Sequence, residues 1–370
     1  MPHIIPEGGE RINAVDALRG LAVLLMMEQH LGVWLWKEQY RLFNDPFMLC
    51  FNGLGGLAAP IFIVLAGLGA SLLPFRHASP SLILILRGFI IMAFGYMLNL
   101  LTPSWFSAGT WYVLHMIGFA LIISPALLRL SPGPLLAVFV AVLAGAACIQ
   151  YYLETPFFLS SGRMRNMHLP GGIFRLALAE GHFPVFPWLA FFIAGLLAGT
   201  WRRQHKNRNI MYMAAACLCA GLVLAAGSFA GFSPAAMGPL LRACKLLPGF
   251  YPAFIPMVLM LISCVLFCIL AFDALEKRTG IRPANPLACA GRASMTLLLA
   301  HVVIGREGAH LLKFWMIFSK AETLALIAAA LALALYLAVQ WNKVNYAYGA
   351  EWLMRQCAQK AAGCFKNLVT

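Results

Sequence analysis

Ten apolar stretches, each about 20 residues long, constrain the fold of this chain more than any other feature. They lie near residues 12–36, 50–74, 81–101, 109–130, 133–153, 183–201, 209–231, 253–275, 284–304 and 322–341. About 20 apolar residues in a helix cross the hydrocarbon core of a bilayer, and the helix satisfies its own backbone hydrogen bonds there. We therefore predict an all-α fold, a polytopic transmembrane helix bundle with ten or eleven spans.

The composition supports a membrane bundle. Of the 370 residues, 62% are hydrophobic and 11% are charged, whereas soluble domains carry about 25% charged residues. We expect residues 1–341 to form a single bundle and the more polar residues 342–370 to form a cytoplasmic tail or interfacial helix. The first apolar stretch contains charges and no small-residue cleavage site follows it, so we do not expect a cleaved signal peptide.

Basic residues in the loops indicate the orientation of the bundle. With alternating spans, the clusters at 202–208 and 277–282 fall on the same side as the N-terminus. Because short cytoplasmic loops are enriched in lysine and arginine, we predict that both termini are cytoplasmic. The net charge of +14 then belongs to loops that face anionic lipid, and we expect no nucleic-acid partner. The ten cysteines show no metal-ligand spacing, so we expect no metal.

The first span carries polar residues that a simple anchor would not need. Asp16, Arg19 and His30 share one helical face, and Glu28 points about 160° away from His30, as follows from the helical repeat. An ionisable side chain inside a bilayer costs roughly 2.5–3.5 kcal/mol on insertion scales. We expect Asp16 to pair with Arg19, Glu28 to pair with another helix, and His30 to have a functional role.

The predicted topology separates the intramembrane arginines from the histidines. The arginines fall in the inner part of the bundle and are Arg19, Arg87 and Arg292. The histidines fall toward the outer side and are His30, His115, His182 and His301. Arginines bind phosphates well, and histidines transfer protons near neutral pH. Ordinary roles stay open, because a lone arginine often extends to the interface and a lone histidine often bonds a carbonyl.

Several segments resemble a known family when taken in order. The opening from Arg11 to His30 reads RINAVDALRGLAVLLMMEQH and resembles the start of the transmembrane acyltransferase superfamily. That superfamily includes relatives of heparan-alpha-glucosaminide N-acetyltransferase and bacterial O-acetylases of surface polysaccharides. Further segments that resemble it run from Ala59 to Gly67, Gly181 to Gly195, Gly291 to His301 and Tyr348 to Arg355.

The resemblance implies an enzyme that takes an acyl group, usually acetyl, from acyl-coenzyme A at the cytoplasmic face. The acceptor would be an extracytoplasmic glycan or a similar hydroxyl or amine. The family's key histidine matches His30, the expected general base, and Arg19, Arg87 and Arg292 would hold the donor. Candidate supporting residues are Asp16, Glu28, His115, His182 and His301. The resemblance also implies a multi-pass protein of a cell membrane, the inner membrane in bacteria, in contact with membrane lipid. A homodimer stays open.

Three other functions remain open from the sequence. The main one is a proton-coupled transporter of a small anionic substrate, since carriers also place charges in their spans and break helices near the midplane. Candidate break points are Pro60, Pro125 and Pro184. A non-catalytic membrane scaffold and an acyltransferase that acts on a lipid headgroup are the other two.

Overall fold

The computed structural model describes residues 12–73, 80–156, 172–229 and 251–357, together with residues 238, 243 and 360. Nearly all of the described chain is helical, and within these ranges the only strand-like pairing is an isolated bridge between Trp36 and Phe318. The prediction of an all-α fold is therefore confirmed for the described residues.

Twelve main helices account for most of the described chain. They are α1 (Asn13–Leu35), α2 (Pro46–Gly55), α3 (Ala58–Leu72), α4 (Pro80–Leu101), α5 (Val113–Leu127), α6 (Pro132–Tyr152), α7 (Val185–Arg203), α8 (Asn207–Phe229), α9 (Ile255–Thr279), α10 (Pro286–Arg292), α11 (Ser294–Ala300) and α12 (Lys320–Asn342). Wider π-type turns cover Leu176–Glu180 and His301–Glu307, and residues 350–357 form a last helical segment.

Seven helical segments of the described chain are long and apolar enough to cross a membrane, and an eighth is added if the bent helix 286–311 counts as one span. Each of the ten predicted stretches coincides with a helix or with a broken helix. Two of these helices, the polar α1 and the 15-residue α5, are not among the seven or eight segments that are long and apolar enough to cross a membrane. A multi-pass membrane protein is thus supported, while ten spans and cytoplasmic termini stay predictions.

Glycines bring pairs of helices into backbone contact at the centre of the bundle. A Cβ at Gly20 would lie 1.9 Å from the Leu287 carbonyl oxygen, and one at Gly291 would lie 1.8 Å from the Asp16 carbonyl oxygen. Small residues at such crossings are typical of membrane helices, since they let backbones approach closely. The contact fixes α1 against α10, so the polar face of α1 lies along the broken helix 286–311.

The break between α10 and α11 bends the chain by 73°. It falls at Ala293, whose backbone angles are φ −101° and ψ 12°. The proline positions named from the sequence do not mark it: Pro60 lies in the first turn of α3, Pro125 lies near the end of α5, and Pro184 directly precedes α7. At the break, α10 packs against α1 through Gly291, and Glu351 bonds the first backbone nitrogens of α11.

Replacement of Gly20 with alanine is expected to destabilise the protein. The added methyl would overlap the Leu287 carbonyl, and overpacking in a dense core costs about 1–3 kcal/mol. Gly69→Ala in α3 is a matched control, because nothing lies within 4 Å of the position that its added methyl would occupy and alanine favours a helix. Thermal unfolding in detergent should show a lower midpoint for Gly20→Ala only. Equal midpoints would contradict the α1–α10 contact.

Candidate functional site

The start of α1 holds a buried network of charges. Asp16 accepts hydrogen bonds from Arg19 Nη1 and from Arg292 Nε, both at 3.1 Å. Arg292 also donates to Asn13 Oδ1 at 3.2 Å and to Asn342 Oδ1 at 3.3 Å. Asp16 is 4% exposed and Arg292 is 9% exposed. The expected pair of Asp16 and Arg19 is present, and each guanidinium nitrogen of Arg292 has a protein partner.

A cavity of about 480 Å³ opens beside this network. Its charged lining consists of Asp16, Arg19, Arg87, Arg292, Glu351 and Arg355, and the rest is mainly apolar side chains of α3, α4 and α5. Four arginines therefore face two carboxylates. Arg87 is only partly buried and makes no hydrogen bond within the described chain, so its guanidinium is available to a ligand. We call this region the arginine end.

The C-terminal segment contributes to the arginine end. Glu351 accepts hydrogen bonds from the backbone nitrogens of Met295 (2.5 Å) and Thr296 (3.2 Å), and from Thr296 Oγ1 at 2.6 Å. It thereby caps the start of α11 after the break. One turn later, Arg355 lines the cavity and donates to the Asn345 carbonyl at 2.9 Å. The sequence placed these residues in the tail, and only the similarity of the stretch 348–355 to the family marked them.

Tyr346 also lines the cavity, in the turn that follows α12. Burial raises the pKa of its phenol above the usual value. The side chain therefore stays neutral and adds no negative charge to the arginine end.

Two histidines meet at the opposite end of α1. His30 Nδ1 lies 2.9 Å from His301 Nε2, and His301 Nδ1 lies 2.9 Å from the Leu297 carbonyl oxygen. A carbonyl can only accept, so His301 Nδ1 carries a proton and its Nε2 in the neutral ring is an acceptor. His30 Nδ1 must then be the donor. The geometry therefore leaves a lone pair on His30 Nε2.

Indole rings surround the histidine pair. The His30 ring lies 5.1 Å from the rings of both Trp34 and Trp105, and Trp34 is stacked on His301 at 6.0 Å. Arg306 lies over Trp105 at 5.0 Å and over Trp315 at 4.6 Å. We call this cluster of His30, His301, Arg306 and the three tryptophans the histidine end. His30 itself keeps some exposed surface.

The other candidate residues do not contact His30. Glu28 is 5% exposed, and neither of its carboxylate oxygens has a hydrogen-bond partner in the described chain, so the expected pair with another helix is absent there. His115 Nδ1 accepts from the Tyr112 backbone nitrogen at 3.3 Å and caps α5. His182 packs against Tyr251, with ring centroids 4.9 Å apart. These contacts fit structural roles.

The arginine end and the histidine end lie at opposite ends of α1. Arg19 and His30 are eleven residues apart on one helix, which corresponds to about 16 Å of rise. His30 is not part of the cavity lining. Within the described residues, no group of three or more histidines, cysteines or acidic residues could hold a metal ion. Arg19, Arg87 and Arg292 thus lie apart from His30 and His301, whereas Arg306 lies beside the two histidines. The membrane face of each end stays a prediction.

The sequence matches the model of one protein family. A family model described as heparan-alpha-glucosaminide N-acetyltransferase, catalytic, matches residues 11–228, more than half of the chain. The matched range contains Asp16, Arg19, His30 and Arg87, whereas His301, Arg306 and the C-terminal segment follow it. No curated protein matches the chain.

Proposed function

The chain belongs to the heparan-alpha-glucosaminide N-acetyltransferase catalytic family, and on that premise we propose that it moves an acetyl group across a membrane. Acyl-coenzyme A binds at the arginine end, from the cytoplasm. A hydroxyl or amine of an extracytoplasmic glycan or similar small molecule receives the acetyl group at the histidine end.

The cavity at the arginine end is the observation that carries this proposal. Four arginines line it against two carboxylates, and both carboxylates already bond protein groups. Guanidinium groups bind phosphates through charge-assisted, often bidentate hydrogen bonds. Arg19, Arg87 and Arg355 are the donor-binding candidates. Arg292 lines the same cavity and mainly holds Asp16.

His30 is the proposed general base. Its Nε2 lone pair takes the proton of the acceptor as the acceptor oxygen or nitrogen attacks the thioester carbonyl carbon. The carbonyl electron pair moves to oxygen and returns as the carbon–sulfur bond breaks. The coenzyme A thiolate then receives the proton from His30. His301 acts as a positioning residue. Its Nε2 accepts a hydrogen bond from His30 Nδ1–H, so the proton of the His30 ring stays on Nδ1 and His30 Nε2 is free to act as the base.

The length of acetyl-coenzyme A is compatible with phosphate binding at the arginine end and acetyl transfer at the histidine end. The acetyl group of acetyl-coenzyme A is at the end of a long flexible pantetheine arm, and the phosphates are at its other end. Phosphates near Arg19 and an acetyl group near His30 require the arm to follow α1 for about 16 Å. The apolar lining contributed by α3, α4 and α5 is suited to such an arm.

The proposal is tested with purified protein in proteoliposomes. Radiolabelled acetyl-coenzyme A is supplied on one side and D-glucosamine, as a probe acceptor, on the other. We expect labelled acetyl on the acceptor and free coenzyme A on the donor side. No release of coenzyme A from the donor by the intact protein would contradict the proposal.

Replacement of Arg87 with alanine is expected to weaken binding of coenzyme A by about 10- to 100-fold, because one charge-assisted hydrogen bond contributes about 1.5–3 kcal/mol. Arg87 has no hydrogen bond within the described chain, so the fold should be unaffected. Calorimetric titration with coenzyme A measures the effect. Arg129→Ala, at an exposed arginine outside the cavity, is the matched control. Wild-type affinity in Arg87→Ala would exclude this donor site.

One observation favours the second candidate, a proton-coupled transporter of a small anionic substrate. The helix 286–311 is broken by 73°, and discontinuous helices commonly form substrate sites in carriers. The proteoliposome experiment separates the two functions. Uptake of an anion with no acetyl transfer would favour transport.

A further inference from the structure

Arg306 is a buried cation that forms no direct ion pair with a carboxylate within the described chain. It is 9% exposed, and no ion pair involves it among the described residues. Its neighbour Glu307 reaches it only through Ser104, whose Oγ donates to Glu307 Oε1 at 2.6 Å and accepts from Arg306 Nε. A buried cation without a direct ion pair is costly in the membrane part of a protein and usually marks a functional group.

The guanidinium of Arg306 is held in a fixed position. Nε donates to Ser104 Oγ at 3.0 Å, and Nη2 donates to the Ser104 carbonyl oxygen at 2.8 Å. The rings of Trp34, Trp105 and Trp315 lie 5.9, 5.0 and 4.6 Å from its central carbon. No described residue accepts a hydrogen bond from Nη1. One nitrogen of a rigid cation is therefore left for a ligand.

This free donor lies close to the proposed base. The indoles of Trp34 and Trp105 contact both Arg306 and His30. The His30 ring and the Arg306 central carbon each lie about 5 Å from the Trp105 ring centroid, 5.1 and 5.0 Å respectively. Arg306 also acts electrostatically on the His30 ring, so the two groups lie close enough for one molecule bound beside these indoles to contact both.

We propose that Arg306 is a catalytic residue that stabilises the oxyanion formed on the thioester carbonyl during acetyl transfer. This inference rests on the proposed function. As the acceptor atom bonds to the carbonyl carbon, the carbonyl electron pair moves to oxygen, and Arg306 Nη1–H donates to that oxygen. When the carbon–sulfur bond breaks, the electron pair returns and the hydrogen bond weakens. A fixed donor aimed at developing charge is the arrangement that stabilises such transition states.

The test compares steady-state kinetics of wild type and Arg306→Ala, with acetyl-coenzyme A as donor and D-glucosamine as probe acceptor. We expect kcat to fall by roughly 10²- to 10³-fold, as for the loss of one oxyanion donor, with little change in KM for acetyl-coenzyme A. Added guanidinium chloride, at millimolar concentration, should restore part of kcat in Arg306→Ala. The same salt should not raise kcat in His30→Ala.

Further variants exclude a merely structural role. Ser104→Ala removes a hydrogen bond that holds the guanidinium but keeps the guanidinium itself, so its loss of kcat should be smaller. A raised KM with normal kcat in Arg306→Ala, or a kcat loss that follows the folded fraction and does not respond to guanidinium, would overturn the assignment. An inactive wild type would instead contradict the proposed function itself.

Discussion

His30→Ala is expected to lower acetyl transfer by roughly 10²- to 10⁴-fold, the usual contribution of a general base. The side chain is at the histidine end, and the bonds of the arginine network do not involve it. Binding of coenzyme A should therefore stay at the wild-type level. Release of free coenzyme A measures the first quantity, and calorimetric titration measures the second.

Two further substitutions separate the base from its surroundings. His30→Asn retains an amide N–H that can donate to His301 Nε2 but lacks a basic nitrogen, so it should fold normally and remain inactive. His301→Gln offers an oxygen that can accept from His30 Nδ1, and should retain more turnover than His301→Leu. Near-normal turnover in His30→Asn would exclude His30 as the base, whatever the behaviour of His30→Ala.

The sequence predicted the polar face of α1 because a helical repeat is a local property. The predicted shared face of α1 lies toward the broken helix 286–311. Asp16 bonds Arg292 and His30 bonds His301, while Arg19 bonds Asp16. Glu28, expected about 160° from His30, makes no contact with it. The distance between Arg19 and His30 also follows from their positions on one helix, whereas the membrane face at which each lies stays a prediction.

Contacts between distant segments could not be predicted in this way. His30 and His301 are 271 positions apart, and their meeting depends on the close approach of α1 and α10 at Gly20 and Gly291. The break at Ala293 has no proline signal. The positions of Arg306 and Arg355 could not be predicted either, because the composition of a loop or tail does not reveal whether a charge packs back onto the bundle.

The charge network of Asp16 gives the second large expected effect. Asp16 and Arg292 are both buried, lie 276 positions apart in sequence and belong to different helices. Removal of one partner from a buried pair leaves the other charge uncompensated, which costs about 3–5 kcal/mol. Arg292→Ala should therefore destabilise the bundle far more than Arg87→Ala, although both arginines line the same cavity.

A double-mutant cycle decides whether this effect comes from the ion pair. Asp16→Asn and Arg292→Met are expected to lower the thermal midpoint individually, since each leaves a buried charge with fewer partners. The double variant should be less destabilised than the sum of the two, because neither charge then remains. Additive losses would show that Arg292 acts through Asn13 and Asn342 instead. A strong coupling energy between Asp16 and Arg292 would mean that this ion pair holds α1 against α10. The contact between the two helices would then position the donor-binding arginines relative to His30.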